Sequence, residues 1–273
     1  MMRLLLLVAL MAALATQQSD AQRAEWNQPV EPFRIVGNIY YVGASGVSAF
    51  LIRTDDGAVL LDGGLPETVT QIAANIQGVG VELSDVKYLL NSHAHYDHAG
   101  GLAELKRLTA ASLIVSAPDA DAIEAGAPDM PSVPVDRRIE DGATVELGGT
   151  TLTALVTPGH TKGCTTWTTT TEEEGRTYSV LFHCSTSVVD ALVGNTRYPD
   201  IVRDYEQTFA RLKALEADVF LINHPWFFRM AEKREAQKAG AAHPFVDSGE
   251  LHQFNERSER QFLAALEAAR KEQ

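Results

Sequence analysis

The sequence predicts an α/β protein in which two mixed β-sheets pack face to face, with helices on both outer faces. Three observations carry this. Short apolar runs broken by turns occur twice, at 33–62 and again at 144–182, and read as two antiparallel meanders. Each meander is followed by helical spacing and a further apolar strand. No Gly/Ser-rich linker separates the halves, so residues 22–273 are expected to form one domain.

The first meander holds Phe33 to Val36, Ile39 to Val42, Ala49 to Ile52 and Ala58 to Asp62, with Asp55-Asp56-Gly57 as a tight-turn signal. Gly63-Gly64 breaks it. From Glu67 to Gln77, Val69, Ile72, Ala73 and Ile76 share one face of a helix. Val86 to Leu90 reads as a buried strand. Gly101 to Thr109 is helical, with Leu102, Leu105 and Leu108 aligned, and Ser112 to Val115 is another strand. Ala117 to Asp136 carries Pro118, Pro128, Pro131 and Pro134; a short helix fits 119–125 and the rest reads as loop bordering a cleft. The second meander holds Thr144 to Leu147, Thr151 to Val156, Cys164 to Thr170 and Tyr178 to Phe182, all β-favouring. A helix over Val202 to Leu215, a strand over Val219 to Ile222 and helices at about 227–239 and 249–271 close the chain.

Composition excludes some functions. The 273 residues carry a formal net charge of −13, which argues against nucleic acid and anionic membrane surfaces. At the N-terminus, Arg3 precedes an apolar run from Leu4 to Ala15, and Ser19-Asp20-Ala21 fits a small-x-small cleavage pattern. Residues 1–21 therefore read as a secretory signal peptide, the alternative being an uncleaved anchor. The apolar run is short against the ~20 residues a membrane span needs. The mature chain would be periplasmic, with no membrane contact once the signal is removed, and a monomer is expected. Of the two cysteines, Cys164 and Cys184, neither belongs to a CxxC, which excludes a zinc knuckle. They lie ten residues either side of Glu174, the centre of a hairpin turn, and so could face each other; an exported protein could oxidise them.

The densest chemistry lies in Asn91-Ser92-His93-Ala94-His95-Tyr96-Asp97-His98-Ala99-Gly100-Gly101. His93, His95, Asp97 and His98 are four potential metal ligands in six positions, and neutral imidazole and carboxylate are the usual ligands of Zn²⁺. Alternation could point only two of them at one ion, so the spacing suits two ions side by side. Each ion then needs a remote ligand. His160, in Thr157-Pro158-Gly159-His160, and His224, in Asn223-His224-Pro225, both follow predicted strands. His183, His243 and His252 read as ordinary histidines, although His183 lies on a strand near the cluster.

These motifs, with Leu60-Leu61-Asp62-Gly63-Gly64, resemble the metallo-β-lactamase superfamily over essentially all of the mature chain. The resemblance implies an αββα sandwich and a dinuclear zinc site. His98, and the stretches Gly194-Asn195-Thr196-Arg197-Tyr198-Pro199 and Gly159-His160-Thr161-x-Gly163-x-Thr165-x-Trp167, are similar to the third subclass of true β-lactamases. It further implies His93, His95 and His160 on one zinc, and Asp97, His98 and His224 on the other. Asp97 would orient the attacking water, and Ser185 and Ser187 would bind the substrate carboxylate. The implied reaction is zinc-dependent opening of the β-lactam ring of penicillins, cephalosporins and carbapenems, which confers antibiotic resistance. Two departures matter. Phe182-His183-Cys184-Ser185 lacks the bridging Asp of the lactonase-like and thioesterase-like hydrolases, and Lys162 replaces a common Pro. An exported dinuclear hydrolase of lactones or thioesters, and a non-catalytic zinc protein, are the competing readings; Cys184 as a zinc ligand is a further one.

Overall fold

A computed structural model describes residues 20–272. The signal peptide expected at 1–21 lies outside these residues except for Asp20 and Ala21, which belong to the helical stretch 20–26 (α1). Among the described residues no helix is long and apolar enough to cross a membrane.

Seven strands form the first sheet: β1 (Phe33–Val36), β2 (Ile39–Tyr41), β3 (Phe50–Thr54), β4 (Gly57–Leu61), β5 (Val86–Leu90), β6 (Ser112–Ser116) and β7 (Arg137–Ile139), in sequence order across the sheet. The first four pair antiparallel, and β4 to β7 pair parallel. The second sheet repeats the plan with β8 (Thr144–Leu147), β9 (Thr150–Val156), β10 (Thr165–Glu173), β11 (Arg176–His183) and β12 (Val219–Ile222), of which β11 and β12 run parallel. The mixed two-sheet architecture is as expected.

Side-chain alternation shows why the layers form. Phe50, Ile52, Val59, Leu61, Leu90 and Ile114 enter the core between the sheets, beside Trp167, Val180 and Phe182 of the second sheet. Their neighbours Leu51, Ala58, Leu60, Leu89, Leu113 and Val115 face the other way, onto α2 (Val69–Gly78), α4 (Leu102–Thr109) and α5 (Ala117–Ala125). A sheet buried on both faces reads as continuous apolar runs, as β4 and β5 do. On the far side, α6 (Ile201–Lys213) and α8 (Glu250–Lys271) join through Tyr205, Phe209 and Phe262. Phe254 of α8 packs on Phe220 of β12. A 3₁₀ turn at Pro225–Phe228 and α7 (Met230–Lys238) replace the single helix expected at 227–239, with Arg229 left-handed between them.

The hairpin β10–β11 turns through Glu174 and Gly175, both at positive φ, with Glu173 opposite Arg176. Its centre lies between those two residues, so Cys164 and Cys184 are one position out of strict register. They are nevertheless bonded as a disulfide, with a Cα–Cα separation of 5.7 Å.

Candidate metal centre

Every motif that reads as chemistry emerges at one edge of the two sheets. The loop 91–98 follows β5, the His160 turn follows β9, Ser185 and Ser187 follow β11, and His224 follows β12. Strands β4, β5 and β6 run parallel, as do β11 and β12, so their C-terminal ends share an edge.

The loop is extended at His95 and then coils into a single helical turn, α3 (Tyr96–Ala99), which the sequence did not reveal. That change of backbone points the two halves of the loop at different neighbours. His93 Nε2 and His95 Nδ1 lie 3.2 and 3.1 Å from His160 Nε2. Asp97 Oδ2 lies 3.3 Å from His98 Nε2 and 3.6 Å from His224 Nε2. Each trio offers three donor atoms within 4.8 Å of one another. The centroids of the His93 and His98 rings, one from each trio, are 4.5 Å apart, so the trios are adjacent. The structure thus brings together all six residues the sequence singled out.

The far nitrogens of three imidazoles fix which atom faces the centre. His160 Nδ1 donates to the Ser187 carbonyl at 2.7 Å, and His224 Nδ1 to the Gly46 carbonyl at 2.8 Å. His93 Nδ1 donates to Ser92 Oγ at 2.9 Å, which in turn donates to Asp62 Oδ2 at 2.8 Å. In each ring the Nε2 lone pair is left for a metal. Burial, with neighbouring histidines as a second cause, pushes His160 down to about 3 and His224 down to about 4 and lowers His93; burial also lowers His95, against the opposing pull of Asp97. Those rings are neutral at pH 7, as ligands must be. His98 is fully buried and neither ring nitrogen has a hydrogen-bond partner. Burial opposes its charge, but the Asp97 and Asp62 carboxylates push it up to about 10. Burial likewise opposes the Asp97 charge, yet His98 beside it holds the carboxyl below the usual range.

His98 lies between the Asp97 and Asp62 carboxylates, 3.3 and 3.5 Å away but without hydrogen-bond geometry, so a cation in the site would satisfy both the ring and Asp97. The two three-residue donor sets, all nitrogen and oxygen, fit a pair of divalent ions of the zinc type.

Two carboxylates carry roles that sequence reasoning missed. Asp62 sits at φ 66°, a rare setting for a non-glycine residue. Its Oδ1 accepts from Ser92 N and Asn91 Nδ2, and Oδ2 reaches both the Ser92 hydroxyl and, at 3.5 Å, His98 Nδ1. It therefore supports both trios. Asp119 accepts from Ala94 N, Thr161 Oγ1 and Gly163 N, tying the histidine loop to the His160 turn. Asp62 had the Leu-Leu-Asp-Gly-Gly motif as a signal; Asp119 had none. The close packing also depends on Gly101, where a Cβ would sit 2.2 Å from Gly63 O.

Ser185 is buried, and its Oγ accepts from Ser187 N. Ser187 is half-buried at the same edge. Lys162 is exposed, its ammonium over the Tyr198 ring at 5.4 Å. His183 is buried away from the donors, with Nδ1 at 3.1 Å from Thr166 Oγ1.

Fold and site together define a class of metallohydrolase, and comparison with known proteins agrees. Residues 42–224 match the family model of the metallo-beta-lactamase superfamily, and the chain belongs to that superfamily and is a hydrolase. Within it, the solved structures it resembles include the subclass B3 metallo-beta-lactamase of Bradyrhizobium japonicum, at 39% identity and TM-score 0.87 over 90% of this chain and 97% of that one. The native metallo-beta-lactamase of Legionella gormanii is similar at 37% identity and TM-score 0.87 over 89% and 98%. Curated relatives match over shorter segments. A hydroxyacylglutathione hydrolase of Hyphomonas neptunium is 41% identical over 78 residues, 29% of this chain and 27% of that protein. The corresponding enzyme of Rhodospirillum rubrum is 30% identical over 111 residues, 41% of this chain and 38% of its own length. The chain thus spans well under half the length of these curated relatives.

Proposed function

We propose that the protein is an exported dinuclear zinc hydrolase that opens the β-lactam ring of penicillins, cephalosporins and carbapenems, and so confers resistance to them. The observation that carries this reading is the pair of adjacent three-donor clusters, His93/His95/His160 and Asp97/His98/His224. They stand in a chain that resembles subclass B3 enzymes over 97% of one such structure. Three protein ligands per ion leave open positions, which is the mark of a catalytic rather than a structural zinc site.

Zinc at the two clusters supplies a Lewis acid and an acidified water. The remaining work falls to side chains. Asp97, held ionised beside His98, orients the attacking water by accepting its hydrogen and relays that proton towards the leaving nitrogen. The Ser185 and Ser187 hydroxyls hold the substrate carboxylate, while the Ser187 carbonyl keeps His160 aimed. Export by a signal at 1–21 would place a single domain, 22–273, in the periplasm, where such antibiotics are met.

Thioester hydrolysis is the second reading, favoured by the short matches to hydroxyacylglutathione hydrolases. The strand end Phe182-His183-Cys184-Ser185, with no carboxylate, speaks against it. Purified, zinc-loaded protein is expected to open a carbapenem and a cephalosporin ring, to stop on chelation and to recover when zinc is returned. Intact rings with two zinc ions bound per chain overturn the proposal; cleavage of S-lactoylglutathione in their place establishes the second reading.

A further inference from the structure

Two of the six donors, Asp97 and His98, stand on α3, a helix of four residues. A helix so short does not hold itself and depends on what packs against it. Its C-terminal end is tightly packed: a Cβ at Gly100 would sit 2.6 Å from Pro66 Cδ and 3.0 Å from the Asp129 carbonyl oxygen. The turn at Pro66–Thr68 and the loop at Asp129 therefore both close on α3. Arg23 of α1 ties those two segments together. Its Nε and Nη2 donate to the two Glu67 carboxylate oxygens at 3.0 and 2.9 Å, and its Nη1 lies 2.8 Å from Asp129 Oδ1. The guanidinium also stands 5.5 Å from the centre of the ring of Tyr96, the first residue of α3. Isolated surface ion pairs contribute little, but a half-buried guanidinium forked onto one carboxylate and shared with a second has the favourable geometry.

The other end of the same segment supports His224. Gly46 N donates to the Trp26 carbonyl at 2.8 Å, and Ser45 N to the Gln28 carbonyl at 3.0 Å. Ser45 Oγ donates to the Glu25 carbonyl at 2.6 Å. The Trp26 ring lies flat enough on Gly46 that a Cβ there would meet it at 2.4 Å, and its centroid is 5.4 Å from that of the His224 ring. The Gly46 carbonyl is the group that orients His224. Residues 23–28 thus touch the supports of Asp97, His98 and His224. Among the described residues, none of these contacts falls on His93, His95 or His160.

We propose that residues 23–28 are a positioning element of the second metal trio, and that Arg23 and Trp26 set how tightly this trio, and not the first, holds its ion. Arg23 acts through α3, which carries Asp97 and His98. Trp26 acts through the Gly46 carbonyl, which aims His224. Neither supplies a donor atom. Loosened support weakens metal binding because the donors must then be ordered at the moment the ion arrives. The inference rests on the dinuclear centre of the proposed function. It adds that the two ions are held unequally, one of them under the control of the N-terminal segment.

Each trio can be read alone by disabling the other: His160→Ala leaves the second intact and His224→Ala leaves the first. Zn²⁺ affinity is measured in both backgrounds by competition with a chromophoric chelator. Arg23→Gln and Trp26→Ala are each expected to weaken Zn²⁺ about tenfold in the His160→Ala background and by less than about twofold in the His224→Ala background. Trp26→Phe, which keeps a ring on Gly46, is expected to restore most of the loss, whereas Arg23→Lys, which cannot fork onto Glu67 and reach Asp129, is not. Equal weakening in both backgrounds marks general loosening of the fold and overturns the inference, as does no weakening in either. Should a donor variant fail to fold, the same competition on the chain with all six donors decides. One of its two Zn²⁺ affinities falls in Trp26→Ala if the inference holds; both or neither fall if it does not. A wild-type chain that takes up no Zn²⁺ overturns the metal centre and this inference together. One that takes up two ions and opens no lactam overturns the proposed function alone, since the competition needs no substrate.

Discussion

Asp62 shows how a residue outside the donor set can govern it. Its carboxylate holds Ser92, which holds His93, and the same carboxylate lies against His98. Loss of such outer support costs metal affinity roughly 10–100-fold. Asp62→Asn is the informative change, because Asn also tolerates the left-handed backbone and only the charge is removed. Competition with a chromophoric chelator should show weaker binding of both ions; unchanged affinity would remove Asp62 from this role. His160→Ala acts on one trio only, and metal analysis should find the bound metal falling from two ions towards one per chain. The six donors were legible in the sequence because their density and strand-end settings are local properties. Asp62 and Asp119 were not assigned roles, because a carboxylate becomes a support only when a distant backbone N–H or hydroxyl arrives beside it.

Among the elements, the hairpin β10–β11 bears directly on the site. The Cys164–Cys184 bridge closes its open end, where β10 begins after the His160 turn and β11 leads into Ser185 to Ser187. A cross-link across a sequence separation of 20 restricts the unfolded chain and contributes about 3 kcal/mol in the chain-entropy account. Replacing both cysteines by serine should lower the urea midpoint by a corresponding amount. Thiol titration of the denatured, unreduced wild type should find no free thiol; two would refute the bridge. Near-symmetric placement about the hairpin turn made the pairing visible in advance. The long strands and helices were legible too, from periodicity over many residues. Three short elements escaped: α1 at 20–26, α3, four residues long, and β7, three residues drawn into the edge of the first sheet by β6. None is long enough to show a period. The helix expected at 119–125 begins at Ala117, since Pro118 is compatible with a first helical turn.

For the molecule as a whole, the buried histidines set the pH response. His183 lies 2% exposed in the core, and burial pushes it down to about 3. Unfolded, it titrates near 6.5. Between those values the unfolded chain holds a proton that the folded chain lacks, so stability falls as pH falls, by about 1.4 kcal/mol per pH unit. Urea unfolding of the chelated protein at several pH values from 7 to 4 should show a steeper fall than this, because His160 and His224 are also held down and take up protons on unfolding, and His183→Phe should flatten it by about one proton. An identical slope in the variant would contradict the assignment. A metal ion held by either trio would stabilise the folded chain by mass action, so chelation should lower Tm at every pH. By itself, the sequence determined the two-sheet α/β architecture and the six donor residues, because apolar periodicity and ligand density are written in neighbouring positions. The division of the donors into two trios was implied by the family resemblance; only the tertiary structure decided which imidazole nitrogen faces the centre and which side chains support it. Those depend on contacts between segments far apart in the chain, such as Gly46 with His224, Ser187 with His160 and Asp62 with Ser92. Such contacts exist only once the two sheets have closed on a common core and brought their strand ends to one edge.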